Sequence, residues 1–230
     1  MTDKVFATPD DALHDVHDGA TIMMGGFVTA GHPASLIYAL KRRGTKDLTT
    51  ISNNIGIGDV IDDLCEDHQI RKVIASFAIR ASGDRRSRFE EQYRRGEVEL
   101  ELVPQGTLAE RIRAGGAGIG GFYVKTSANT PLGEGKETRE LDGETYVFER
   151  PLRAGFAFIK AWKADRAGNL MYHGASRNFN VPMATAADIV IGEVEEIVEV
   201  GAIPPDSVVT PGIFVDRIVQ SEHRLVRWYG

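Results

Sequence analysis

A cluster of glycines follows a short apolar run near the start of the chain, where Thr21–Met24 gives way to Gly25-Gly26-Phe27-Val28-Thr29-Ala30-Gly31. Glycine lets backbone N–H groups approach an anion closely, and a helix that begins near Pro33 adds the positive end of its dipole. The pattern therefore predicts a loop that binds a phosphate or a carboxylate. A tight β-α turn with Gly25 and Gly26 packed beneath the sheet explains the same residues equally well.

Side-chain amides stand at two other points where apolar runs end. Asn53 and Asn54 close the run that begins at Leu48, and Gln105 follows the run that ends at Val103. The carboxyl ends of parallel strands form the crevice in which α/β proteins bind ligands. Amide N–H groups there can donate to a carbonyl or to a developing oxyanion without adding a charge. Amides that only complete a turn are commoner than amides that bind a ligand. Because amides occur here at the ends of two strands that we predict to be adjacent, the ligand-binding interpretation becomes closer in weight to the turn interpretation.

Three other patterns are typical of catalytic or cofactor sites but lack the context that such sites require. The run 116–121 has G-x-G-x-x-G spacing, which would suit an NAD-dependent oxidoreductase. A helix precedes it and a strand-like run follows, the reverse of what a dinucleotide-binding turn needs. The histidines show no H-E-x-x-H spacing, and no serine lies in G-x-S-x-G. Acidic residues alternate with apolar ones in one late segment, which predicts a solvated strand face: Glu193, Glu195, Glu196 and Glu199.

The composition is that of a globular protein without a nucleic-acid or membrane partner. The 230 residues carry 33 acidic and 27 basic side chains, a net charge of -6, and no basic block long enough to follow a phosphate backbone. Cys65 is the single cysteine, so it cannot form an internal disulfide or begin a thiolate metal site, and we expect it to be structural. No apolar segment reaches the ~18 residues of a membrane span, and no signal peptide is visible. We expect a cytoplasmic protein with one domain, residues 1–230, and no metal.

Apolar runs of strand length alternate with amphipathic stretches along the chain. This order predicts an α/β fold with an open, largely parallel sheet and flanking helices. The predicted strands are Thr21–Met24, Leu48–Ser52, Lys72–Phe77, Val98–Val103, Phe156–Trp162 and Ile189–Val200. The predicted helices are Pro33–Arg43, Asp59–Asp67, Asp84–Arg95, Thr107–Ala114 and Pro182–Asp188.

Two local signals refine this order. Thr107 and Glu110 have capping-box spacing, which predicts a short helix that starts there and stops at Gly115. The dipeptide Asp142-Gly143 separates two strand-like runs within 136–150 and suits a type I′ turn. The second signal predicts an antiparallel hairpin excursion from the main sheet.

The glycine loop is also where the chain resembles a known family. Asp18-Gly19, followed by Gly25-Gly26-Phe27-x-x-x-Gly31-x-Pro33, resembles the A-subunit signature of the family I CoA-transferases. The resemblance covers nearly the whole chain. It continues through segments 52–54, 104–118, 135–140, 160–169, 175–179 and 210–215.

The resemblance implies the open α/β fold of that family, which is NagB-RpiA-like, and a partner B subunit of similar fold in a heterodimer or heterotetramer. It implies that CoA moves from succinyl-CoA to a 3-oxo acid, with 3-oxoadipate favoured and acetate or acetoacetate as the alternative. The nucleophilic glutamate of the family lies in a Ser-Glu-Asn-Gly motif of the B subunit, and this sequence has no such motif. The CoA thioester is then a substrate, and no permanently bound cofactor is implied.

The resemblance also assigns candidate site residues, matched position by position. Asn53 and Gln105 are expected to line the pocket that faces the partner's glutamate and to support the oxyanion. The expected CoA contacts form one continuous loop: Gly25, Gly26, Phe27, Val28, Thr29, Ala30 and Gly31.

The chain departs from the family pattern in places that bear on the substrate. Val28 stands where glycine is usual, and Val124–Pro131 replaces a Thr-Gly-x-Gly-Thr stretch, so both are candidates for contact with the acyl group. The segment Arg80–Arg88 holds four arginines and is either a contact for a dicarboxylate or, more simply, a solvated helix face. From another class, a metabolite-sensing domain of related fold is the alternative, although no helix-turn-helix precedes Asp18.

Overall fold

The computed structural model describes residues 3–56, 58–79 and 85–222. In chain order its strands are β1 (Thr21–Met24), β2 (Leu48–Asn54), β3 (Ile70–Phe77), β4 (Glu99–Leu102), β5 (Phe122–Val124), β6 (Thr138–Leu141), β7 (Glu144–Glu149), β8 (Ala154–Asp165), β9 (Leu170–Met171), β10 (Ala187–Val198) and β11 (Arg217–Gln220). Its α-helices are α1 (Pro9–Ala12), α2 (Ala34–Arg43), α3 (Arg88–Arg94), α4 (Gln105–Ala117) and α5 (Asn180–Met183).

Seven strands form one parallel sheet in the order β11-β10-β8-β1-β2-β3-β4, and the short β9 pairs antiparallel with β8. The prediction of an open, largely parallel sheet is confirmed. Strands β1 to β4 extend the sheet in one direction, whereas β8, β10 and β11 extend it in the other. The crevice between the carboxyl ends of β1 and β8 is therefore the switch point at which such sheets bind ligands.

Helices cover both faces of the sheet, and β1 shows how the sequence separates the two cores. Ile22 and Met24 belong to a core that includes Leu36 of α2, whereas Met23 belongs to a second core that includes Leu108 of α4. Successive side chains of a strand point to opposite faces, so a strand buried on both sides is apolar at every position. This constraint holds the loop after β1 at the centre of the molecule.

The predicted hairpin excursion is confirmed. Strands β6 and β7 pair antiparallel, and β5 completes a separate three-stranded sheet in the order β5-β7-β6. Asp142 and Gly143 have φ values of 51° and 77°, the pair of positive φ angles that a type I′ turn requires.

Helix boundaries are where the sequence predictions were least accurate. Asp59–Asp67 contains only a 3-10 turn, Asp62–Cys65. The Asp59 carboxylate accepts the nearby Ile61 N–H group, a local contact that favours a turn over a helix. The Asp62 carboxylate instead accepts the N–H groups of Arg88 and Phe89 at the start of α3. In place of the predicted helix Pro182–Asp188, the structure has a single helical turn, α5 (Asn180–Met183), which begins two residues earlier. Strand β10 already begins at Ala187.

The capping box at Thr107 was also wrong. Helix α4 begins at Gln105 after Pro104, and the buried Thr107 hydroxyl has no hydrogen-bond partner among the described residues. Pro104 is the N-cap residue, with an extended ψ of 139°, and a proline side chain has no acceptor to offer, so the helix begins at Gln105 without a side-chain cap. Gly118, with φ of 69°, ends the helix three residues later than predicted.

The prediction that the glutamates of this segment form a solvated strand face was wrong at Glu193. Glu193 is fully buried, and Lys160, opposite it in the β8–β10 register, places Nζ 2.8 Å from its Oε1. The other carboxylate oxygen accepts the backbone N–H of Leu36 at 3.1 Å, and Ser35 Oγ donates to Oε1 at 3.0 Å. An alternating pattern alone cannot show that one of its charged positions faces a charge of opposite sign inside the protein.

Glu193→Ala should reduce the free energy of unfolding by about 3–5 kcal/mol, because it leaves the Lys160 ammonium buried without a counter-charge. The matched control is Glu196→Ala on the same strand, whose partner Lys163 lies at 2.7 Å but with both side chains partly exposed. That change should cost less than about 1 kcal/mol. Urea denaturation followed by circular dichroism measures both, and equal losses would show that burial does not set the cost.

Candidate functional site

The glycine loop, residues 25–31, makes a tight turn directly after β1. Gly25 N–H donates to the Phe158 carbonyl of β8 at 2.9 Å. Phe27 and Ala30 exchange two backbone hydrogen bonds, each of 2.9 Å, which close a four-residue turn around Val28 and Thr29. Val28 has a φ of 54° and is 57% exposed at the tip. A β-branched residue is strained in this left-handed region, which explains why glycine suits the position.

Glycine is required at Gly25 because of its neighbour Asn180. A Cβ at Gly25 would lie 1.8 Å from Asn180 Oδ1, and one at Gly31 would lie 2.9 Å from Asn180 Nδ2. Asn180 is fully buried; its Oδ1 accepts from Lys160 N–H at 2.8 Å, and its Nδ2 donates to the Gly31 carbonyl at 2.9 Å. The packing interpretation of Gly25 therefore holds, with an asparagine as the packed group.

The helix that follows the loop offers no empty anion site at its first turn. The carboxylate of Glu193 already accepts the Leu36 N–H group and neutralises the positive end of α2. Within the loop, the N–H groups of Gly25, Phe27, Val28 and Ala30 donate to protein acceptors. An anionic ligand would therefore meet fewer free donors than the glycine pattern predicts.

The two predicted amides are in direct contact. Gln105 Nε2 donates to Asn53 Oδ1 at 2.7 Å. The prediction that they follow adjacent strands was wrong. Asn53 lies on β2 and Gln105 follows β4, and β3 separates these two strands. The side chains meet because α4, which begins at Gln105, packs back across β3.

A third amide connects this pair to the tip of the glycine loop. Asn54 Oδ1 accepts from Val28 N–H at 2.7 Å and from Asn53 Nδ2 at 3.0 Å. Its Nδ2 donates to Asp59 Oδ2 and, at 3.3 Å, to the Val28 carbonyl. His32 Nε2 donates to the same carbonyl at 2.6 Å. The loop tip and the amide pair are therefore one hydrogen-bonded unit.

Asp59 is the acidic group that contacts this unit. It is 8% exposed, and burial raises the pKa of its carboxyl above the ordinary value, although His32, whose Nδ1 lies 3.9 Å away, acts to lower it. Its Oδ1 accepts the Ile61 N–H group at 3.0 Å. Both carboxylate oxygens thus have N–H donors.

Two cavities open beside this unit, one on each side of Phe27. The larger, of about 760 Å³, is lined by Val28, Thr29, Asn53, Asn54, Asp59 and Phe77 among others. The smaller, of about 340 Å³, is lined by Gln105, Gly106, Ala109 and Phe179 among others. Phe27 lines both cavities and is 41% exposed. The amide pair thus stands between two spaces of ligand size.

Charge in the larger cavity is acidic. Asp59 and Glu90 are among its lining residues, and no lysine, arginine or histidine of the described ranges is. Arg88 pairs with Asp63 at 3.2 Å and is not among the lining residues. Arg85 and Arg86 are exposed, and 80–84 lies outside the described residues. Val124–Pro131 lines neither cavity, whereas Val28, the other departure from the family pattern, lines the larger one.

Other chemistries find no support in the described part of the chain. No group of three or more metal-ligating side chains occurs there, and no helix there is long and apolar enough to cross a membrane. Cys65 is buried, and burial raises the pKa of its thiol to about 12. The G-x-G-x-x-G run joins α4 to β5, so the helix-before-strand context that argued against dinucleotide binding is confirmed.

Sequence reasoning missed the residues that hold the loop. Asn178 Nδ2 donates to the Ala30 carbonyl at 3.0 Å, and Asn180 holds Gly31. Asp59 and His32 hold Asn54 and Val28. The only signal was the family-like segment 175–179, which gives no physical role to its asparagine.

The chain matches the family model described as Coenzyme A transferase over residues 6–221. It is 50% identical over 220 residues to the A subunit of 3-oxoadipate CoA-transferase from Acinetobacter baylyi, which covers 95% of each chain. It is 53% identical over 205 residues to the A subunit of succinyl-CoA:3-ketoacid coenzyme A transferase from Xanthomonas campestris pv. campestris, covering 89% of this chain and 83% of that protein. Its fold resembles glutaconate coenzyme A-transferase of Acidaminococcus fermentans, with a TM-score of 0.83, 23% identity, and coverage of 95% and 75% of the two chains.

Gly25→Ala should displace the glycine loop and reduce the free energy of unfolding by about 1–3 kcal/mol, because the added methyl group overlaps Asn180. Gly120→Ala is the control, since nothing lies within 4 Å of a Cβ there. Urea denaturation gives the energies, and a crystal structure gives the loop position. A Gly25→Ala protein with unchanged stability and loop would contradict the packing account.

Proposed function

The chain belongs to the coenzyme A transferase family, and from that membership we propose that it is the A subunit of an enzyme that moves CoA from succinyl-CoA to a 3-oxo acid. Relatives with half of their residues identical are named as A subunits. We propose that a B subunit completes the enzyme as a heterodimer or heterotetramer. Acyl-CoA and the 3-oxo acid are then its substrates.

The observation that carries the proposal is the contact between Asn53 and Gln105 at the carboxyl edge of the sheet. Asn53 lines the larger cavity and Gln105 the smaller, so a group that spans both passes the two amides. Each amide nitrogen carries two hydrogens; Gln105 gives one of them to Asn53, and Asn53 gives one to Asn54. We propose that the second N–H of each amide donates to an acyl oxygen.

The proposed reaction needs neutral donors at this place. The carboxylate of the partner's glutamate adds to the thioester carbonyl carbon, and the carbonyl oxygen takes up the electron pair. Collapse of this oxyanion expels CoA thiolate and leaves an acyl-glutamyl anhydride. The thiolate then attacks the glutamyl carbonyl and releases the acid, which gives a glutamyl-CoA thioester. Reversal with the acceptor acid completes the transfer.

In this scheme the present chain positions and polarises but does not attack. Asn53 and Gln105 donate N–H groups to the oxyanion formed in each step, where preorganised donors act most strongly. Gly25, Gly26, Phe27, Val28, Thr29, Ala30 and Gly31 contact CoA. Since most of the loop's N–H groups are internally bonded, we infer that it holds the ligand by shape and apolar contact more than by binding phosphate.

The acceptor acid has two candidates. The 50% identity to the A subunit of the 3-oxoadipate enzyme, over 95% of both chains, supports 3-oxoadipate. Among the described residues the charged groups that line the larger cavity are acidic and the rest are mainly apolar, which favours an acid without a second carboxylate, such as acetoacetate. Steady-state rates with each acid decide between them.

The assay is succinyl-CoA-dependent thioester formation, with the chain alone and then with the product of the adjacent reading frame. We expect activity only in the mixture, because the nucleophile is absent from this chain. The preferred acid identifies the substrate. Full activity of the isolated chain, or none in a correctly assembled mixture with either acid, would refute the proposal.

Gln105→Ala should lower kcat of the assembled enzyme about 10²–10³-fold, the usual cost of one oxyanion donor. Association with the B subunit, followed by size-exclusion chromatography, should be unchanged. Gln92→Ala is the control: this buried amide donates to the Cys65 carbonyl at 2.6 Å, away from both cavities. A kcat for Gln105→Ala equal to that of Gln92→Ala would remove Gln105 from the site.

A further inference from the structure

The buried carboxylate of Asp59 has no part in the reaction scheme above, yet it touches the unit that contains the amide pair. We propose that Asp59 is a positioning residue: it fixes which way Asn54, Asn53 and Gln105 are turned, so that N–H groups rather than oxygens face the acyl group. The inference rests on the proposed function and deepens it.

The first step is the contact between Asp59 and Asn54. The two ends of an amide have nearly the same shape, so only hydrogen-bond partners decide its orientation. A carboxylate accepts and does not donate. Because Asp59 Oδ2 meets Asn54, the Nδ2 end must face it. Asn54 Oδ1 then faces Val28 N–H, which can only donate and so favours the same orientation, and it also accepts from Asn53.

The orientation of Asn54 in turn determines the orientations of Asn53 and Gln105. Asn54 presents an oxygen to Asn53, so Asn53 must turn its Nδ2 toward Asn54 at 3.0 Å. Asn53 Oδ1 then faces Gln105, which must donate from Nε2 at 2.7 Å. Reversing the first amide would reverse the other two and direct oxygen lone pairs at a developing oxyanion. The direction of three amides therefore depends on the two partners that orient Asn54: the Asp59 carboxylate at its Nδ2 and the Val28 N–H group at its Oδ1.

Stability alone does not explain a carboxylate here. Asp59 is 8% exposed, and taking a carboxylate out of water is costly even when it is hydrogen-bonded. The raised pKa of its carboxyl reflects that cost. A neutral side chain would cost less to bury, but an amide has one acceptor oxygen, whereas Asp59 accepts from both Ile61 N–H and Asn54.

The test replaces the Asp59 carboxylate, which only accepts hydrogen bonds, by an amide, which also donates them. Asp59→Asn keeps the shape but supplies a single acceptor oxygen; if Ile61 N–H retains it, the new amide NH₂ group faces Asn54 Nδ2. Reversal of Asn54 would relieve that contact but set its Nδ2 against Val28 N–H, so neither orientation of the three amides is fully hydrogen-bonded. We expect kcat of the assembled enzyme to fall about 10–100-fold with KM for succinyl-CoA within about twofold, since donors are lost in the transition state. The double variant Asn54→Asp/Asp59→Asn again places an acceptor beside Val28 N–H and Asn53, and should recover most of the lost kcat.

Asp62→Asn is the matched control. Asp62 is also buried in the same segment and, like Asp59, accepts two N–H groups, here the backbone groups of Arg88 at 3.1 Å and Phe89 at 2.8 Å, but it touches none of the three amides. It should lose stability and keep kcat. An Asp59→Asn enzyme with normal kcat, or a double variant as slow as the single one, would overturn the inference.

Neutron diffraction from crystals of the full chain reads the three amide orientations without an assay. We expect the orientations described above in the parent protein and a mixture of parent and reversed amides in Asp59→Asn. If the parent pair transfers no CoA, the proposed function fails, while the neutron result still decides the role of Asp59. Unchanged orientations in Asp59→Asn would overturn that role whatever the activity.

Discussion

The hydrogen bonds between the Asn54 amide and the backbone of Val28 are the contact on which the rest of the site depends. They join the tip of the glycine loop, which follows β1, to the end of β2, the neighbouring strand. On the other side of the loop, Asn180 holds Gly31 and leaves no room for a side chain at Gly25. The loop is therefore fixed between Asn54 and Asn180, and this fixes the position of Phe27 between the two cavities.

This arrangement uses buried polar groups for geometry. The Lys160–Glu193 pair and the Asp59–Asn54 contact are enclosed by the protein. Such buried polar groups fix the orientation of their neighbours, although taking them out of water costs free energy. Glu193 holds the first turn of α2, which follows the glycine loop. These charged side chains near the loop thus have defined partners, and the amide pair itself is neutral. A neutral, preorganised donor pair suits a reaction in which negative charge develops on an acyl oxygen.

Much of the fold followed from the sequence, because apolar runs that alternate with amphipathic ones leave few arrangements other than a parallel sheet. The turn at Asp142-Gly143 was predictable for a local reason: its backbone angles demand those residues. The carboxylates were not predictable. Whether Glu193 is solvated or paired depends on its register with Lys160, which strand patterns do not contain. The approach of Gln105 to Asn53 likewise depends on how α4 packs over β3, a long-range contact with no local signal.

The most direct test of the account is a crystal structure of the assembled enzyme with the glutamyl-CoA thioester trapped on the B subunit. The measurement is the distance from the thioester carbonyl oxygen to Asn53 Nδ2 and Gln105 Nε2. The account predicts that both nitrogens lie about 3 Å from that oxygen, within the range of a donated hydrogen bond. A thioester whose carbonyl is bonded to other groups, with both amides out of hydrogen-bond range, would contradict it.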